Sequence, residues 1–191
     1  MSLRNSSTRW GSLSQFLHWL IVAFVVAQVT LALVFKSLHR GPLLFTLVNI
    51  HKSIGITIFA LMLIRLLWRW GNRVPDLPAA LTPYERILAR STHVALYAIL
   101  LVMPLTGWLG SAAHGIPVRW FALVTLPGIV AKSLVLSKLM FVAHFWLAIL
   151  LGVIVTVHIA AALRHHFVLR DDTLRRMVPM RTAKSGGLGK R

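Results

Sequence analysis

The sequence predicts an all-α, polytopic membrane protein built as a four-transmembrane-helix bundle. Three observations carry that expectation. The chain of 191 residues is 57% hydrophobic and only 13% charged, with a mean hydropathy of +0.75. Its apolar residues fall into four runs, each long enough for a helix to cross ~30 Å of hydrocarbon. Its basic residues gather in the segments that an up-and-down path through four helices places on one side of the membrane.

The expected helices cover about residues 13–36, 45–70, 92–113 and 139–167. The first run exceeds the ~7–15-residue core of a secretion signal and has no small-x-small cleavage pattern, so it reads as a retained helix. The second leads into a connector whose Pro75, Pro78 and Pro83 predict an extended path. In the third, Pro104 and Gly107 predict a bend. Between Ala112 and Lys138 lies a long loop. Its apolar stretch Phe121 to Ala131 is too short to span and contains Pro127-Gly128, so a short interfacial helix is expected near Val130 to Ser137. After the fourth helix, one membrane domain over residues 9–177 gives way to a basic, Gly-rich flexible tail, 178–191.

Sorting the 21 Lys and Arg residues fixes the expected orientation. Fifteen lie in the N-terminus, the second connector with its flanks, and the C-terminal tail; six lie on the other side, namely Lys36, Arg40, Lys52, Arg119, Lys132 and Lys138. Cytoplasmic segments carry the Lys/Arg excess, so both termini are expected in the cytoplasm. Asp76, Glu85, Asp171 and Asp172, the only acids, fall on the same side. The outer side therefore has cations and no carboxylate, which serves either headgroup anchoring or attraction of a small anion. Nucleic acid is not expected to bind, despite a net charge of +17, because the basic residues flank apolar spans. With no cysteine, disulfides, thiolate sites, iron–sulfur clusters and covalent haem attachment are excluded.

Histidine is rare and costly in a membrane span, which makes each one a functional candidate. His18, His51, His144 and His158 lie in the apolar segments. His144 and His158 are 14 residues apart, nearly four whole turns, so they face the same way at a separation of ~21 Å along one helix. Orientation places His18 and His158 at the inner level and His51 and His144 at the outer level. Imidazole is a common axial ligand of haem iron. The pattern therefore predicts two b-type haems, an inner one held by His18 and His158 and an outer one held by His51 and His144. The bland alternative, histidines hydrogen-bonded between helices, is weakened by four at matched depths. Two imidazoles per level give too few ligands for a closed zinc site.

Further residues are read with their alternatives. Arg65 shares the His51 face at the inner level and pairs with a haem propionate or snorkels to headgroups; Lys52 is placed likewise for the outer haem. Gly55 and Gly152 admit either a macrocycle or a neighbouring helix. His93 opens the third helix and rivals His18 or His158 as ligand. Arg164 and His165, with His166 beside them, form either a site for a quinone head, since imidazole exchanges protons near neutral pH, or an interfacial basic cluster. Seven tryptophans lie mostly near span ends, as an aromatic belt would; Trp19 and Trp146 are also candidates to pack on a porphyrin.

RWGSLSQFLHWL around His18, HKSIG from His51, THVALY around His93, HFWLAILLGVIVTVHIAAALRHHF from His144 and DDTLRRM from Asp171 together resemble the bacterial cytochrome b561 family. That family is similar in architecture to the cytochrome b subunit of membrane hydrogenases. The resemblance implies a multi-pass protein of the bacterial inner membrane with His18, His51, His144 and His158 as haem ligands. It implies an oxidoreductase that takes electrons from superoxide at the periplasmic face and delivers them to ubiquinone near the cytoplasmic face, with His165 at the quinone. The alternative is a membrane cytochrome b subunit that relays electrons between a periplasmic partner protein and the quinone pool. A proton-relaying transporter is the third reading, and it lacks an intramembrane carboxylate.

Overall fold

A computed structural model of the chain describes residues 2–35, 37–78 and 81–178. Lys36 and all but the first residue of the expected tail lie outside the described residues. Four helices are present: α1 (Ser12–Phe35), α2 (Pro42–Trp70), α3 (Pro83–His114) and α4 (Leu134–Phe167). All four are long and apolar enough to span a membrane. With 24, 29, 32 and 34 residues, they run from ~36 to ~51 Å.

Two helices begin earlier than their apolar runs. α3 starts at Pro83, nine residues before the expected start, because Thr82 and Glu85 form a reciprocal capping box and Pro83 fits the first turn. Hydropathy hides that first stretch, since Glu85, Arg86 and Arg90 interrupt it. α4 starts at Leu134, where the Ser133 side chain accepts from the Leu136 N–H. The expected interfacial helix near Val130 to Ser137 is therefore not separate; its second half is the first turn of α4.

The loop before α4 folds instead into a two-stranded hairpin, β1 (Arg119–Trp120) against β2 (Val124–Thr125), with Trp120 opposite Val124. Its tight turn is closed by the Leu123 N–H to the Trp120 carbonyl at 2.9 Å and holds Phe121 and Ala122 at φ 46° and 60°. Turns with two left-handed residues usually use Asn-Gly, so no turn signal announces this one.

Neighbours in sequence are neighbours in space: α1 packs on α2, α2 on α3, and α3 on α4. Ile21, Ile54, Ile58 and Met62 form the core between α1 and α2, with Tyr97, Leu100 and Leu101 of α3 against it. Among the described residues, no Cα of α1 or α2 comes within 8 Å of a Cα of α4. α4 leans on α3 alone, and a gap separates it from the other two helices. Leu67, Val94, Val102, Val142 and Val153 are exposed, as lipid-facing positions of a bundle are.

The first and last described segments of the chain meet at one end of the bundle. The Gln15 amide donates to the Arg176 carbonyl, and the Trp19 indole N–H to the Met177 carbonyl, each at 2.9 Å. Arg176 donates to the Asp76 carbonyl and Asn5 to the Arg73 carbonyl, so the N-terminal segment, the α2–α3 connector and the C-terminal turn are tied together. We call this the terminal end and the opposite one the hairpin end.

Candidate functional site

The four span histidines meet across the gap in two pairs. His18 of α1 faces His158 of α4 with ring centroids 6.3 Å apart and planes crossed at 71°. His51 of α2 faces His144 of α4 at 6.2 Å and 70°. The first pair is toward the terminal end, the second toward the hairpin end. Rings at that spacing stand too far apart to hydrogen-bond directly. Two imidazoles that coordinate one metal from opposite sides, each nitrogen ~2 Å away, put their centroids ~6 Å apart.

His144 is held from behind by α3. Its Nδ1 lies 3.0 Å from the Met103 carbonyl and 3.1 Å from Thr106 Oγ1. The Thr106 hydroxyl proton is committed to the Met103 carbonyl at 2.7 Å. A hydroxyl has one proton and a carbonyl has none, so both oxygens accept and His144 Nδ1–H donates to them. Nε2 is left with its lone pair free. A Cβ on Gly107 would lie 3.2 Å from His144 Cε1, tighter than ordinary contact, so a larger residue there would push this ring by a few tenths of an ångström. Gly110 makes the same room for the Phe141 ring. His51 is held less firmly: its Nδ1 is buried without a partner among the described residues, and its ring meets the Phe35 edge at 5.4 Å. The Gln28 amide donates to the His51 carbonyl and lies over Gly55. The space at Gly55 is thus taken by Gln28 rather than left for a macrocycle, whereas nothing crowds Gly152.

His93 also reaches the terminal-end pair, its ring 5.4 Å from that of His158 and crossed at 70°. That is shorter than the spacing of either facing pair. Arg65 donates to the Tyr97 hydroxyl at 3.0 Å and to the Ser14 carbonyl at 3.1 Å. Trp68 donates to the Ser14 hydroxyl, which bonds Asn5 at 2.7 Å, so Arg65 belongs to a polar network under the terminal-end pair. Lys52 is half-buried beside His51. Trp146 is 63% exposed, two residues and so ~200° around α4 from His144, and it faces lipid rather than the gap. Trp19 lies edge-on to His18 at 5.3 Å.

Arg164 and His165 each have a carboxylate partner that sequence reading did not supply. Arg164 pairs with Glu85 of α3 at 3.1 Å. His165 Nδ1 pairs with Asp171 at 2.5 Å, brought back by a turn that holds Arg170 at φ 52°. Partial burial opposes charge on Asp171, but hydrogen bonding from Thr173 and His165 outweighs it and keeps the carboxyl below its ordinary value. At the hairpin end, Arg40, Arg119, Lys132 and Lys138 are exposed.

The hairpin sits on α2 next to His51. Buried Ser53 accepts from the Phe121 N–H at 2.9 Å and lies 3.1 Å from the Arg119 carbonyl, and Trp120 donates to Thr57 at 3.0 Å. A four-helix membrane bundle with imidazole pairs at two levels, and no thiol for covalent attachment, has the makings of a membrane cytochrome. The family model for prokaryotic cytochrome b561 matches residues 9–180. Cytochrome b561 homolog 2 of Escherichia coli (strain K12) is 34% identical over 185 residues, covering 93% of this chain and 95% of the relative. "Probable superoxide oxidase CybB" of Yersinia pestis is 26% identical over 171 residues, 90% of this chain and 96% of the relative. Cytochrome b561 homolog 1 of E. coli (strain K12) is 25% identical over 174 residues, 91% and 98% of the two chains. The chain belongs to the prokaryotic cytochrome b561 family, whose members carry out membrane electron transfer with b-type haem.

Proposed function

We propose that this chain holds two b haems, one between His18 and His158 and one between His51 and His144, and carries electrons from a periplasmic donor to ubiquinone. The observation that carries this reading is the pair of facing imidazoles at 6.3 and 6.2 Å across a gap that backbone does not fill. The Lys/Arg excess puts the terminal end in the cytoplasm of a bacterial inner-membrane protein. The haems, when bound, supply one-electron transfer between the two ends. With both imidazoles of a pair on one iron, the haem would have no open position for oxygen and would serve electron transfer alone. Lys52, beside His51, and Arg65, in the polar network under the terminal-end pair, are the cations we assign to haem propionates.

The donor proposed is superoxide, the substrate in the name of the Yersinia relative. Arg40, Arg119, Lys132 and Lys138 at an end without carboxylates raise the local concentration of such an anion. Two superoxide ions, one quinone and two protons give two dioxygen molecules and one quinol. Arg164 and His165 hold the quinone head, and the His165–Asp171 pair hands on protons from the cytoplasm.

Purified protein from haem-replete cells is expected to show low-spin b-type spectra with two haems per chain. Superoxide consumption is expected to require quinone. Colourless, well-folded protein overturns the reading. Turnover only with a co-purifying periplasmic protein replaces superoxide with the subunit role. His144→Ala and His158→Ala are each expected to lose one haem of the two; loss of both from a folded single variant refutes the pairing.

A further inference from the structure

We propose that α3, which provides neither partner of the facing pairs, governs the outer pair through Thr106 and the Met103 carbonyl. They grip His144 by Nδ1–H and so fix which nitrogen faces His51 and how the two ring planes cross. This rests on reading His51 and His144 as ligands of the outer haem.

Two independent observations converge on it. The first is the proton accounting. Thr106 gives its one proton to the Met103 carbonyl at 2.7 Å, and the two oxygens then receive the same Nδ1–H at 3.1 and 3.0 Å. A ring held by a forked hydrogen bond to a fixed carbonyl and an anchored hydroxyl cannot turn about its bond to the chain without losing both acceptors. The second is steric. Gly107 lets the Nδ1–Cε1 edge lie against α3, where a Cβ would stand 3.2 and 3.3 Å from those two atoms. His144 is thus braced by bonds and by contact, while the Nδ1 of His51 is buried with no hydrogen-bond partner among the described residues. The plane of His144 is thereby fixed, and it crosses that of His51 at 70°.

That angle has a spectroscopic consequence. Parallel imidazole planes split the iron d orbitals that overlap the ring π systems and give ferric low-spin haem a rhombic, three-feature EPR spectrum. Strongly crossed planes leave those orbitals nearly degenerate and give a single, highly anisotropic low-field feature. Hydrogen bonding at Nδ1 also sets the basicity of the ligand and with it the reduction potential.

The test is EPR, haem content and redox titration on the whole purified protein and on Thr106→Val, Thr106→Ser and Gly107→Ala. His51→Ala, which leaves the inner haem alone, identifies its signal. Wild type is expected to show highly anisotropic low-field signals. Thr106→Val is expected to keep both haems but shift the outer low-field feature and the outer potential, leaving the inner haem unchanged. Thr106→Ser, which retains the hydroxyl, restores both. Gly107→Ala, whose Cβ displaces the His144 ring by a few tenths of an ångström, is expected to shift the outer low-field feature and leave the inner one unchanged. A Thr106→Val protein identical to wild type in signal and potential overturns the proposal. So does a shift that Thr106→Ser fails to restore. Wild-type protein without haem refutes the ligand reading itself, a separate outcome.

Discussion

Three of the four acidic side chains pair with arginines at one end of the bundle, and the fourth pairs with His165. Asp76 pairs with Arg73 at 3.4 Å, Glu85 with Arg164 at 3.1 Å, Asp172 with Arg175 at 3.6 Å, and Asp171 with His165. The three Arg pairs involve exposed arginine side chains, and such pairs contribute ~0–1 kcal/mol each. Their larger effect is distribution: the hairpin end keeps its cations uncompensated. Asp171 differs because it closes the turn after α4. Its carboxyl is held below the ordinary value, so its contribution to docking that turn is fully present above the unfolded-chain pKa. The contribution is lost as pH falls through the lowered value. Hydrogen exchange of the amides of residues 171–177 is therefore expected to stay slow from neutral pH down to the ordinary carboxylate range and to accelerate below it. Asp171→Asn is expected to exchange faster at neutral pH and to lose that acid-dependent step. The positions of the four span histidines were legible because helical periodicity alone puts 14-residue neighbours in phase. Their supports were not: Thr106 is 38 residues from His144 and Glu85 is 79 from Arg164, and no local rule links positions so far apart.

Among the elements, the hairpin departs most from expectation. Its turn places Phe121 and Ala122 in the left-handed region, where non-glycine residues cost ~1–2 kcal/mol each. Such a conformation persists only when its surroundings over-determine it. Here Ser53, buried in α2, accepts from the Phe121 N–H while its own proton goes to the Asn49 carbonyl at 2.8 Å with the Arg119 carbonyl nearby at 3.1 Å, and Thr57 accepts from Trp120. Ser53→Ala leaves the Phe121 N–H without its partner, at a cost of ~1–3 kcal/mol. Faster hydrogen exchange confined to residues 119–125, with the helices unchanged, is the expected outcome. Equal exchange in wild type and variant removes Ser53 as the pin. Helix starts taught a related lesson. Caps at Thr82 and Ser133 were present in the sequence, but apolar runs mark where a helix enters lipid, not where its hydrogen-bond ladder begins.

At the scale of the molecule, the gap beside α4 is the defining feature. α4 packs on α3 and turns its histidine face toward α1 and α2, the arrangement that a bundle holding a prosthetic group between facing helices needs. Topology is directly testable because the chain has no native cysteine. Single cysteines at Ser6 and Val178 are expected to react with an impermeant maleimide only after the inner membrane is opened. One at Leu123, 76% exposed on the hairpin, is expected to react from the periplasmic side of intact membrane. The reverse pattern inverts the proposed direction of electron flow.

The sequence by itself determined the four spans, the expected sidedness and the two levels of imidazole, because hydropathy, Lys/Arg bias and helical phase are all properties of short stretches of chain. Tertiary structure alone decided which helix α4 leans on, what grips His144, and how the hairpin covers α2. Those depend on contacts between residues tens of positions apart, where a missing Cβ or a single hydroxyl proton selects one packing over another.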